Sequence, residues 1–172
     1  MWTRAGWPGG YRWSMTFLVR PARISDAKAI SAIRVQGWRE TYVDLLSPEF
    51  LEKQNPADSV PWWRRAIERG FTIAVSEVEG QVRGFAASGP PTDDDSPRDL
   101  ELWLLYQLAS EHGTGSGQAL LDAVIGDEPA SLWVAEQNPR ARAFYERNGF
   151  VADGTSKALA EWENLVEIRM VR

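Results

Sequence analysis

The chain has 172 residues, a formal net charge of −5, no cysteine and a single histidine, His112. The length suits one folded unit that needs no covalent staples, the missing thiols exclude disulfides and cysteine nucleophiles, and one imidazole leaves no zinc cluster. The acidic balance argues against a general nucleic-acid binder, although only three of the 19 basic residues are lysines, and the planar fork of arginine suits a local phosphate site.

Residues 1–14, MWTRAGWPGGYRWS, contain no apolar stretch of the secretory kind. They are expected to be a flexible N-terminal extension, with a single domain over 15–172. No run approaches the ~20 apolar residues of a membrane helix, so a cytoplasmic protein with no membrane partner is expected. Residues 15–20 read as a strand. Ser25 or Asp26 then caps a helix that turns Ala29, Ile30, Ile33 and Trp38 inward. Ser47-Pro48 opens a second helix, cap then proline. Pro56 and Pro61 are expected to break the chain before a short helix over 62–69. Two β-runs, 71–78 and 81–88, meet at Glu79-Gly80, a hairpin signal.

Residues 89–99 form an acidic loop without core-forming residues, and Asp93, Asp94 and Asp95 are expected to be solvated. Residues 100–108 are the most apolar strand and are expected at the centre of a sheet. A helix over 115–125 follows, with Leu120, Leu121, Val124 and Ile125 on one face. Next come a strand over 131–136 and a helix opened by Asn138-Pro139 and closed at Asn148-Gly149. Strands at 150–152 and 165–171 end the order. The mixture predicts an α/β, or layered α+β, architecture.

Two segments carry chemistry. In His112-Gly113-Thr114-Gly115-Ser116-Gly117-Gln118 a strand runs through alternating glycines into a helix. Glycine lets the backbone approach a ligand closely, and the first amides of a helix have no internal partner. With the helix dipole they make an anion site suited to a diphosphate. The dinucleotide fingerprint G-x-G-x-x-G fails, because its last position falls on Gln118 or Leu120, and no P-loop G-K-S/T triplet occurs. Some twenty residues on, a second strand meets a capped helix, Asn138-Pro139-Arg140-Ala141-Arg142-Ala143-Phe144-Tyr145, ending at Gly149-Phe150.

These segments resemble the cofactor motifs of the GNAT acetyltransferase superfamily. The first matches its Q/R-x-x-G-x-G/A turn, with His112 in place of Gln or Arg, and the second its N-x-x-A-x-x-F-Y-x-x-x-G-F helix. The V-x-P that commonly precedes the turn is Gln107-Leu108-Ala109 here. The resemblance implies a mixed central sheet splayed at the fourth and fifth strands, with helices on both faces. It implies acetyl-CoA as cofactor and transfer of an acetyl group to a primary amine through a tetrahedral intermediate. The acceptor is a small metabolite, an antibiotic or a protein amine; the competing reading is a non-catalytic acyl-CoA-binding module.

By the same resemblance, residues 105–108 pair with the pantetheine arm, and the amide of Gln107 or Leu108 faces the thioester carbonyl. The turn residues His112 to Gln118 hold the diphosphate, Asn138 lies near the cofactor while capping its helix, and Arg142 reaches phosphate. Tyr145 is the expected acid, since a thiol titrates near about 8.5 and a phenol near about 10. Glu101 is the expected base, because a primary amine arrives protonated; Glu136 and Glu40 are weaker alternatives. Trp38, Tyr42 and Trp103 are the expected acceptor-side residues, with no metal. A homodimer through a terminal strand is an analogy with the family.

Overall fold

The computed structural model describes residues 17–172. The expected extension and the start of the first strand at Met15 and Thr16 lie outside them. Seven strands form one sheet: β1 (Leu18–Pro21), β2 (Thr72–Val78), β3 (Gln81–Gly89), β4 (Glu101–Gln107), β5 (Ser131–Ala135), β6 (Val151–Leu159) and β7 (Leu165–Val171). Their order in space is β1-β2-β3-β4-β5-β7-β6, so β4 is central. All neighbours are antiparallel except β4 and β5.

The helices are α1 (Ala27–Thr41), α2 (Pro48–Glu52), α3 (Pro56–Glu68), α4 (Ser116–Val124) and α5 (Pro139–Arg147). Helices α1 and α3 cover one face through Ile30, Ile33, Trp63 and Ala66, packed on Ile73, Val75 and Phe85. The other face is covered by α4 and α5, whose Leu120, Leu121, Val124 and Tyr145 meet Leu132, Val134 and Met170. A third cluster joins the end of α1 to β5 and β7 through Trp38, Tyr42, Leu46, Ala135 and Leu165.

Two local features open the sheet at its centre. Opposite Ala87 and Ser88 the register of β4 slips by one residue, so Trp103 is extra. Such a bulge bends and twists the strand that carries it. Parallel pairing of β4 with β5 then stops after Glu101↔Ser131 and Leu102↔Leu132. Beyond Leu102 the two strands diverge, which is the splay expected between the fourth and fifth strands.

Three sequence expectations are corrected. Pro61 does not break α3, which runs from Pro56 with Asn55 accepting from the Ala57 amide at 3.0 Å. The carbonyl that loses its partner belongs to Ala57, an exposed residue in the first turn of the helix. Strand β6 runs to Leu159 instead of ending at Ala152. Its sequence, VADGTSKAL, lacks apolar alternation because it is a largely exposed edge strand held by pairing with β7. The acidic loop is tied down rather than merely solvated: Asp93 pairs with Lys157 at 3.1 Å and Asp95 with Arg169 at 3.0 Å, while Asp94 stays exposed.

Candidate functional site

The glycine turn is built to leave amides free. Gly113 and Gly115 both adopt positive φ, +77° and +93°. The Thr114 hydroxyl donates to the Glu111 carbonyl at 2.8 Å and accepts weakly from the Ser116 amide at 3.3 Å. The first α-helical bond runs from Ala119 N–H to the Gly115 carbonyl. Among the described residues the amides of Gly113, Gly115, Gly117 and Gln118 donate to no protein group. These orphan donors at a helix start fit an anionic diphosphate. Ser116 is fully buried and contributes structure. The Gln118 side chain lies along the surface, donating to Asp122 and Asn148, so only its backbone faces the turn.

Gln107 braces this turn. Its Nε2 donates to the Glu111 carbonyl at 3.1 Å, and its Oε1 accepts from the Ser116 hydroxyl at 3.3 Å. Gly117 exists to admit it: a Cβ there would stand 2.9 Å from Gln107 Oε1. The Leu108 amide already donates to the Arg83 carbonyl at 2.9 Å. In an antiparallel pair successive residues face opposite ways, so Gln107, not Leu108, turns its N–H toward the gap between β4 and β5.

Helix α5 closes the other side. Asn138 caps it, its Oδ1 accepting from Ala141 N–H at 3.1 Å, and also lines the cavity. Arg140, one turn in, donates to His112 Nδ1 at 3.1 Å. Arginine only donates, so this contact selects the imidazole tautomer with its proton on Nε2. Partial burial and then Arg140 hold His112 below the usual imidazole value, against an opposing pull from Glu40. His112 is thus a neutral donor. Arg142 turns away, donating to the Glu136 carbonyl at 3.2 Å, and does not line the cavity.

A cavity of about 640 Å³ joins these parts, bounded by His112, Gly113 and Gly117 of the turn, both splayed strands, and Glu101, Tyr145 and Glu167. Its size is that of a small-molecule site. Glu101 is 4% exposed. Its carboxylate accepts from the Thr92 amide and hydroxyl, each at 3.0 Å. Burial raises its pKa, the Thr92 bonds lower it, Asp93 adds to the rise and Lys157 opposes it. Glu167 on β7 is a second, half-buried carboxyl, raised first by burial, opposed by Lys157 and pushed further by Glu101 and Asp93.

Tyr145 is 8% exposed, packed edge-on against Phe144 and Phe150. It lines the cavity, and its hydroxyl has no hydrogen-bond partner among the described residues. Burial, then the nearby Tyr42, push the phenol well above its ordinary value, so it stays protonated. Tyr42 also lines the cavity, whereas Trp38 is 3% exposed and packs in the third cluster, donating from Nε1 to the Tyr106 hydroxyl at 2.7 Å. Trp103 lines the cavity, held by a bond from Nε1 to the Pro90 carbonyl at 2.8 Å.

Glu101, Tyr145, Tyr42, Trp103, Gln107, Asn138, His112, Gly113 and Gly117 thus converge, while Trp38, Leu108, Thr114, Gly115, Ser116, Gln118 and Arg142 do not line the cavity. Glu40 accepts from the Ala109 amide at 3.2 Å, and Glu136 is exposed. Sequence reasoning missed Arg140, Trp133, Lys157 and Glu167. A signal existed for Glu167: strand alternation places it on the same face of β7 as buried Leu165. Arg140 is a first-turn cation on the helix read as a motif. Trp133 and Lys157 gave none.

Residues 35–150 match the acetyltransferase (GNAT) family. The chain is similar to "Uncharacterized N-acetyltransferase YuaI" of Bacillus subtilis, 32% identical over 127 residues, covering 70% of this chain and 73% of that protein. The fold is similar to a GCN5-related N-acetyltransferase structure from Rhodopseudomonas palustris, with a TM-score of 0.71 and 22% identity over 95% of this chain and 99% of that one. It is also similar to yncA from Salmonella typhimurium, described with acetyl-CoA, at a TM-score of 0.66 and 19% identity over 91% and 93% of the two chains.

Proposed function

The chain belongs to the acetyltransferase (GNAT) family, and from that premise we propose that it transfers an acetyl group from acetyl-CoA to a primary amine by direct attack. One observation carries this reading: Gly113 and Gly117 of the turn, whose amides are orphans, line the same cavity as Tyr145 and Glu101. Acetyl-CoA supplies the activated acyl thioester. The amides of Gly113, Gly115, Gly117 and Gln118 hold the diphosphate, with Arg140 and the Nε2–H of His112 beside them. The Gln107 N–H faces the position where carbonyl charge develops.

Glu101 takes the proton from the incoming ammonium, directly or through water. Its raised pKa makes it a better base than an ordinary carboxylate. Glu167 stands by as a second acceptor of that proton. Tyr145 keeps its proton and presents it to the leaving sulfur; a phenol pushed upward by burial acts by hydrogen bonding more than by full transfer. Tyr42, Trp103 and Trp133 wall the acceptor side beside the carboxylates of Glu101 and Glu167, which suits a cationic amine.

The experiment is release of CoA thiol from acetyl-CoA across a panel of primary amines, with Tyr145→Phe and Glu101→Gln alongside. Turnover by the wild type and a marked fall in both variants is the expected result. A rise in melting temperature with acetyl-CoA, with no amine consumed, selects the non-catalytic binding module instead.

A further inference from the structure

The acceptor side of the cavity already contains a primary amine. Lys157 of β6 is in register with Glu167 of β7, and Glu167 with Ala135 of β5, at the edge of the splay. Paired residues share a face, so the three stand in one row toward the cavity, which Lys157 lines together with Glu101 and Tyr145. The Lys157 ammonium sits 3.8 Å from the centroid of the Trp133 ring. It meets the Asp93 carboxylate at 3.1 and 3.4 Å, while Asp93 also accepts from Trp133 Nε1 at 2.6 Å. An aromatic face beside a carboxylate is how proteins recognise an alkylammonium ion.

We propose that Lys157 is itself an acceptor, and that the protein acetylates it within its own chain when no other amine fills the cavity. This rests on the function proposed above. The Lys157 ammonium gives one proton to a carboxylate of the cavity, with Glu101 in that role, and the neutral nitrogen attacks the thioester carbonyl carbon. A C–N bond forms and the C–S bond breaks. The second nitrogen proton ends on sulfur, so the products are an acetylated lysine, CoA thiol and one released proton. The neutral amide no longer balances Asp93, Glu101 and Glu167, and it takes the cation off Trp133. Acetylation therefore reshapes the charge of the acceptor chamber.

The chain has three lysines, Lys28, Lys53 and Lys157, which makes the test specific. Wild-type protein is incubated with acetyl-CoA and no added amine, then mapped by peptide mass spectrometry. Lys157 gains one acetyl group ahead of exposed Lys28 and Lys53, at a rate per molecule unchanged on dilution of the protein. The Lys157→Arg variant gains none at that position. Tyr145→Phe slows the gain while acetyl-CoA still raises its melting temperature. Acetic anhydride, a reagent that needs no binding site, reverses the order, because the Lys157 side chain is 32% exposed while that of Lys53 is 71% exposed.

Lys157 left unmodified, while amines are acetylated in the panel, overturns this proposal and leaves the function standing. No thermal shift and no thiol release with any amine overturn both. A rate that rises with protein concentration shows transfer between molecules and overturns the proposal. So does Lys157 reacting first with the anhydride, which would trace its selectivity to intrinsic reactivity.

Discussion

Replacing Glu101 by Gln separates its chemical role from its structural cost. The change keeps the shape and keeps a carbonyl oxygen for the Thr92 donors, which approach at 3.0 Å. It removes the base. General-base catalysis contributes about 10²–10⁴-fold, and the structure places the loss near the lower end, because Glu167 is a second carboxylate of the same cavity. A fall of about 10² in kcat/KM, or roughly 3 kcal/mol of transition-state stabilisation, is expected. The double variant Glu101→Gln/Glu167→Gln should fall toward about 10⁴.

Stability should move the other way as pH rises. Burial holds the Glu101 carboxyl above its ordinary value. A carboxyl raised in the folded state favours folding below its unfolded pKa, and that contribution is lost as pH rises through the folded value. Glutamine carries no such loss. The melting temperature of Glu101→Gln relative to wild type should therefore be higher at about pH 8 than at about pH 5. Thermal melts at both pH values and a pH–rate profile measure the two effects. A variant whose relative stability falls between those pH values would show that Thr92 and Lys157 outweigh burial, and the reasoning about Glu101 as a strengthened base would be refuted.

Arg140→Ala should raise the His112 pKa, since Arg140 is one of the two influences holding it down; titration of this single imidazole by NMR reads the change directly. The same variant should weaken CoA binding by about tenfold to a hundredfold, the worth of one charged hydrogen bond, as measured by calorimetry. Gly117→Ala gains up to about 1 kcal/mol of helix propensity. Its Cβ would stand 2.9 Å from Gln107 Oε1, displacing two hydrogen bonds worth about 0.5–1.5 kcal/mol each, so denaturant melts should show a net loss of up to about 2 kcal/mol. Asp93→Asn should loosen the 90–98 loop, giving faster amide hydrogen exchange there, because Asp93 joins that loop to both Trp133 and Lys157.

Local signals made most of the fold readable. The Glu79-Gly80 turn takes the two positive φ angles, +50° and +77°, that its hairpin needs, and Ser47 and Asn138 cap helices as their chemistry directs. Pro61 misled because a proline is judged by the carbonyl it deprives, and whether that carbonyl reaches water is a tertiary fact. Strand β6 was hidden because an edge strand with a polar exposed surface carries no alternating pattern; pairing with β7 alone defines it.

The candidate site divides along the same line. The glycine turn and Tyr145 are legible because a diphosphate and a helix start need particular residues at particular spacing over a few positions. The proposed acceptor side is assembled from Thr92 and Asp93 in a loop, Glu101 and Trp133 on two strands, and Lys157 and Glu167 on two more. No local spacing links them. Sequence determined where the orphan amides of the glycine turn lie, because that feature is one contiguous stretch of backbone. Tertiary structure decided which charges share the cavity, because electrostatic coupling and burial depend on distances that only the splayed sheet and the strapped loop create.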